Sequence, residues 1–128
     1  MPDKQAVLVV EDDPAIRRLV NMVLERAGYH VETAADGVEA VLKLGLADFC
    51  VIVLDLMMPN LDGFSFIETL AKNDPTRLRQ IIITSAASPA VIKQRLGESE
   101  PFSVLSKPFN IEDLTRLVAA CAGQKQAT

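Results

Sequence analysis

The chain offers a single histidine, His30, and only two cysteines, Cys50 and Cys121, in 128 residues. Neither cysteine belongs to a CxxC pair or stands beside the histidine, so the paired-thiol metal and redox motifs are excluded. Both sit in apolar surroundings (Phe49-Cys50-Val51 and Ala119-Ala120-Cys121-Ala122) and read as small buried hydrophobes. Long apolar runs are missing too. The purest, Phe49 to Leu54, is far too short to span a membrane. The start, Met1-Pro2-Asp3-Lys4-Gln5, has neither the basic opening nor the apolar stretch of a secretion signal, so a cytoplasmic location is expected. Positive charge is in deficit: 13 Lys and Arg face 17 Asp and Glu, for a net charge of -4 and a pI near 4.9. A surface of that sign repels a phosphate backbone and argues against direct nucleic-acid binding. There is no GxxxxGK[ST] loop, which removes the P-loop nucleotide enzymes.

With 49% hydrophobic and 23% charged residues, the composition is that of an ordinary soluble globular protein. The length fits one domain and one core, expected over residues 1–123, with 124–128 as a frayed tail. Five short apolar runs alternate with amphipathic stretches. Ala6–Val10, Val51–Leu54 and Ile81–Ile83 carry no polar member and suit strands covered on both faces; His30–Thr33 and Ser103–Leu105 are more mixed, as edge strands are. Asp13-Pro14 caps and opens a first helix, on which Ile16, Leu19, Val20, Val23, Leu24 and Ala27 follow the spacing of one buried face before Gly28 ends it. Asp36-Gly37 opens a second helix carrying Val38, Val41 and Leu42. Asp62-Gly63 opens a third with Phe64, Ile67, Leu70 and Ala71. Ser88-Pro89 begins a fourth that ends near Gly97, and Asn110 caps a fifth with Ile111, Leu114, Val118 and Cys121 inward. Five strand–helix alternations predict a parallel sheet with helices on both faces, and place any ligand beyond the carboxyl ends of the strands.

The residues at those ends are chemically alike. The first run ends in Glu11-Asp12-Asp13, the third in Asp55, the fourth in Thr84-Ser85 and the fifth in Ser106-Lys107-Pro108. Each has a commoner use alone: an acid before a helix caps it, an Asp or Thr after a strand closes a turn, and a lysine is usually a solvated charge. At one end of four strands they make a pocket. Clustered carboxylates repel one another, and one takes up a proton unless a cation compensates; hard oxygen donors select Mg2+ or Mn2+. A carboxylate beside such an ion can attack phosphorus, and cationic and hydroxyl donors then stabilise the charge spread over the transferring group. Asp55 serves as nucleophile, Asp12 and Glu11 as metal site, and Thr84 and Lys107 as phosphoryl contacts.

The segments Val7-Leu-Val-Val-Glu-Asp-Asp13, Val53-Leu-Asp-Leu-Met-Met-Pro-Asn-Leu-Asp-Gly63, Ile83-Thr-Ser85 and Ser106-Lys-Pro-Phe109 resemble, in order and spacing, the signature segments of response-regulator receiver domains. The resemblance runs from about Ala6 to Cys121. It implies a flavodoxin-like (βα)5 fold with strand order 2-1-3-4-5. It also implies phosphoryl transfer onto Asp55 from a histidine kinase or histidine phosphotransfer protein, in a two-component or phosphorelay system. In this family pattern Asp12 and Asp55 ligate the metal directly, Met57 through its backbone carbonyl, and Glu11 through water. Lys107 and Thr84 contact the phosphoryl group, and Pro108 follows a commonly cis bond. The chain would catalyse its own modification without being a turnover enzyme, as a monomer or a phosphorylation-dependent dimer, and the resemblance leaves the downstream protein open. Departures from the pattern are Val104, where an aromatic switch residue is common, and Ser85, where alanine is. Met57 and Ala86, at positions that bear on the hydrolytic water, carry no polar group, which implies slow dephosphorylation. A degenerate receiver kept only for protein contacts is the alternative reading, against which the full residue set stands. A phosphatase on a similar fold lacks support, since Leu-Met-Met follows Asp55 and supplies no second acid.

Overall fold

The computed structural model describes residues 5–56, 63–97 and 100–124. Five strands, β1 (Ala6–Val10), β2 (His30–Ala34), β3 (Val51–Asp55), β4 (Ile81–Ser85) and β5 (Ser103–Ser106), pair in parallel in the order β2-β1-β3-β4-β5. The helices α1 (Pro14–Arg26), α2 (Gly37–Leu46), α3 (Gly63–Asn73), α4 (Pro89–Leu96) and α5 (Ile111–Gly123) connect them. The two mixed runs, His30–Thr33 and Ser103–Leu105, are the edges, as expected.

Side chains alternate across a strand, and the core divides accordingly. Leu8, Val10, Ile52, Leu54, Ile81 and Ile83 pack on one side of the sheet with Ala40, Phe66, Ile67 and Ile92 of α2, α3 and α4. Val7, Val9, Val51, Val53 and Ile82 pack on the other with Val20 and Leu24 of α1 and Leu114, Val118 and Cys121 of α5. The three central strands read as unbroken apolar runs because both of their faces are covered.

The helix starts follow the sequence. The Asp13 carboxylate accepts from the Ala15 and Ile16 amides at 2.8 and 3.2 Å, with Pro14 behind it. Asp36, Ser88 and Asn110 cap α2, α4 and α5 in the same way. Gly28 ends α1 at φ 102° and Gly97 ends α4 at φ 61°, conformations that other residues rarely adopt. Asp62 lies outside the described residues.

The outer faces of α1 and α2 differ from expectation. Leu19 on α1 and Ala27 just past its end are exposed, and on α2 so are Val38, Val41 and Leu42, the last at 65%. The α2 residues turned to the sheet are Gly37 and Ala40, both buried, with Leu44 against the core. On α2 small side chains take the buried positions and the larger apolar ones remain outside. A 3-10 turn, Pro75–Gln80, capped by Asp74, was not anticipated and places Leu78 in the core.

Burial pushes the Cys121 thiol up to about 12, with Cys50 adding to the shift. An unfolded cysteine titrates near 8.5. At pH 8.5, iodoacetamide should therefore modify Cys121 at least about a hundredfold more slowly in the native protein than in guanidinium. Equal rates in mass-spectrometric labelling would contradict the packing.

Candidate functional site

The carboxyl ends of β1, β3, β4 and β5 carry the site. Asp55 is the last residue of β3 and pairs in register with Thr84 of β4, while Ser85 pairs with Ser106 of β5. Thr84 and Ser85 are the last residues of β4, one strand turn further along than the apolar run Ile81–Ile83 implied. Beyond the strands the ladder continues: the Leu56 amide donates to the Thr84 carbonyl at 3.3 Å and the Lys107 amide to the Ser85 carbonyl at 2.7 Å. The three connections after β3, β4 and β5 therefore leave the sheet at one level.

Glu11 and Asp55 are each 4% exposed and Thr84 is 3% exposed, whereas Asp12 faces solvent. The Lys107 ammonium donates to Glu11 Oε1 at 2.8 Å and lies 3.3 Å from Asp55 Oδ2. Glu11 Oε2 accepts from the Asp13 amide at 3.3 Å. One carboxylate oxygen from each of Glu11, Asp12 and Asp55 lies within 4.8 Å of the other two. Burial holds the Glu11 carboxyl above its ordinary range, and the adjoining Asp55 adds to this against the opposing pull of Lys107. Burial works against the charge of Lys107, but the hydrogen bonds and charges of Glu11 and Asp55 outweigh it and hold the ammonium above its usual range. Negative charge is thus in surplus around one fixed cation.

The donor set fits a hard divalent ion: three carboxylates with no sulfur or imidazole among them. The structure brings together Glu11, Asp12, Asp55 and Lys107, with Thr84 beside Asp55. Met57, expected to offer its carbonyl, lies outside the described residues. The Lys107–Pro108 bond is cis. Val104, where the sequence departs from the expected pattern, is half-buried and, with Ile92 and Leu96, lines a cavity of about 350 Å³ between α4 and β5.

Two residues have roles the sequence did not show. The Ser85 hydroxyl accepts from the Ala87 amide at 3.0 Å and fixes the turn after β4. Arg17 bends back from α1 to the carbonyls of Glu11 and Asp12. A cation in the first turn of a helix, where the dipole disfavours it, is the signal that could have pointed to a specific acceptor.

Fold and site define a doubly wound parallel α/β protein of the flavodoxin type with an acidic strand-end pocket. Residues 7–119 match the model of the response regulator receiver domain, and the chain belongs to that family. It is 33% identical over 114 residues to the DNA-binding dual master transcriptional regulator RpaA of Synechocystis, covering 89% of this chain and 47% of RpaA. The chain thus spans about half the length of that curated relative. Among solved structures it is similar to the chemotaxis response regulator CheY4 of Vibrio cholerae (34% identity, TM-score 0.83, 93% of this chain and 99% of that one). It is also similar to the receiver domain of the sensor histidine kinase PA1611 of Pseudomonas aeruginosa, solved with a magnesium ion coordinated in the active site cleft. That match has 27% identity and a TM-score of 0.83, over 95% and 100% of the two chains.

Proposed function

We propose that Asp55 accepts a phosphoryl group, donated by a phosphohistidine of a histidine kinase or phosphotransfer protein, in a reaction that requires Mg2+ or Mn2+. The observation that carries this reading is the cluster of Glu11, Asp12 and Asp55 carboxylates with the Lys107 ammonium between two of them. An Asp55 carboxylate oxygen attacks phosphorus as the bond to the donor breaks, and the leaving group departs with its electron pair. Lys107 is placed to follow the charge from the Asp55 carboxylate to the incoming phosphoryl oxygens, and the Thr84 hydroxyl, next to Asp55 on the neighbouring strand, supplies a further donor. Asp12 and Asp55 would hold the metal directly, Met57 by its carbonyl and Glu11 through water. When bound, the ion neutralises negative charge on the phosphoryl oxygens. The magnesium in the PA1611 receiver domain supports this assignment.

The chain then modifies itself and is not a turnover enzyme. Among the described residues no helix is long and apolar enough to cross a membrane, and a cytoplasmic site of action is part of the proposal. Incubation with acetyl phosphate and Mg2+ should add one phosphoryl mass to the intact protein, and excess EDTA should prevent it. Equal labelling with and without EDTA would overturn the metal requirement.

Ala86 is exposed in the turn after β4 and has no group to hold a water in line with the phosphoryl bond. Slow self-dephosphorylation follows. Met57→Asn with Ala86→Glu should shorten the phosphoprotein's lifetime in a mass time course, and an unchanged lifetime would contradict the explanation.

A further inference from the structure

Arg17 stands in the first turn of α1, four residues after the cap Asp13, and its side chain is half-buried. It does not extend into solvent. Its Nη1 donates to the Glu11 carbonyl at 3.0 Å and to the Asp12 carbonyl at 3.3 Å. The two residues it grips are the acids of the β1–α1 connection that belong to the carboxylate cluster. Their anchoring is otherwise unequal. The Glu11 carboxylate is fixed by Lys107 and by the Asp13 amide, and the Glu11 amide donates to the Ala34 carbonyl at 3.0 Å. Asp12 is exposed, and among the described residues Arg17 supplies the hydrogen bond to its carbonyl. Where the Asp12 carboxylate lies relative to Asp55 therefore depends on a backbone that Arg17 ties to the helix.

Resting on the metal-dependent reading above, we propose that Arg17 is a positioning residue for the metal site, holding the Glu11-Asp12 backbone so that the Asp12 carboxylate faces Asp55. Its position in the chain accords with this role. A positive charge at a helix N-terminus opposes the dipole, so α1 gains nothing from it electrostatically, whereas two carbonyls beside a cluster of acids accept it well. The alternative, a solvated charge, does not explain why the guanidinium turns back across its own helix end. A purely electrostatic role predicts the opposite consequence: a fixed cation near the pocket would weaken divalent-ion binding, and its removal would strengthen it.

The test measures Mn2+ affinity by electron paramagnetic resonance of the free ion, on the wild type, Arg17→Met and Arg17→Lys, alongside thermal melting without metal. Arg17→Met keeps the apolar stem and should bind Mn2+ about tenfold more weakly, the lower end of the losses seen when groups behind metal ligands are removed. Arg17→Lys retains a cationic donor and should recover most of the affinity. Melting should stay close to wild type in both. Tighter binding by Arg17→Met would assign the residue a charge effect only. Unchanged affinity with a lowered melting temperature would assign it to helix stability, and either result overturns the proposal. Failure of the wild type itself to bind Mn2+ or to be labelled by acetyl phosphate would instead overturn the metal-dependent reading.

Discussion

Asp55→Asn will take up no phosphoryl mass from acetyl phosphate and Mg2+ under conditions that label the wild type fully. The amide is nearly isosteric with the carboxylate, so the end of β3 and its pairing with Thr84 should survive, and only the nucleophile is lost. Asp12→Ala should come close to the same result by a different route, since it removes one of the three carboxylates that fit a divalent ion and leaves Asp55 intact. Excess Mg2+ should therefore restore some labelling to Asp12→Ala and none to Asp55→Asn. Lys107 is a less informative target. It neutralises two nearly buried acids, Glu11 and Asp55, and its removal would leave them without that cation. Breaking such a pair costs on the order of 3 kcal/mol, so lost labelling in Lys107→Ala would mix chemistry with stability. Intact-mass analysis with circular dichroism as a folding control makes the measurement. Undiminished labelling of Asp55→Asn would remove the assignment of the acceptor.

The site was legible because its residues stand where unbroken apolar runs stop. Val7 to Val10, Val51 to Leu54 and Ile81 to Ile83 are buried on both faces, so the first polar residue after each marks the strand end, and parallel pairing brings those ends together. Orientation on the outer helices was less legible. Periodicity tells which residues share a helix face but not which face turns inward, and α2 is apolar nearly all round, with Gly37, Ala40 and Leu44 inward and Val38, Val41, Leu42 and Leu46 outward. Arg17 was obscure for another reason. Its partners are backbone carbonyls, which leave no trace in the identity of neighbouring side chains.

Gly63 shows the same limit at a single position, and its replacement should cost substantial stability beside the site. In the sequence Asp62-Gly63 reads only as a helix opening. In the structure Gly63 begins α3 against the end of β3, and its amide donates to the Leu56 carbonyl at 3.0 Å. A Cβ added there would lie 2.5 Å from the Leu56 Cα, 2.9 Å from its Cδ2 and 3.0 Å from the Asp55 carbonyl oxygen. The Leu56 side chain could turn aside, but the backbone of Asp55 and Leu56 is held by β4 and cannot yield without disturbing the pairing with Thr84. Gly63→Ala should therefore destabilise the fold by about 2–3 kcal/mol, toward the upper part of the range for overpacked sites. For a chain of this size that corresponds to a fall in melting temperature on the order of 10 °C. The strain acts on the residue that carries the acceptor carboxylate, so labelling by acetyl phosphate should slow as well, even at temperatures where the variant is folded. Gly45, with nothing within 4 Å of an added Cβ and a place inside α2, is the control: Gly45→Ala should leave labelling unchanged and hold or raise stability by about 0.5–1 kcal/mol. Calorimetry on both variants decides the matter. A Gly63→Ala protein that melts with the wild type would mean that the α3 start moves freely from Leu56, and that Asp55 is not held from that side.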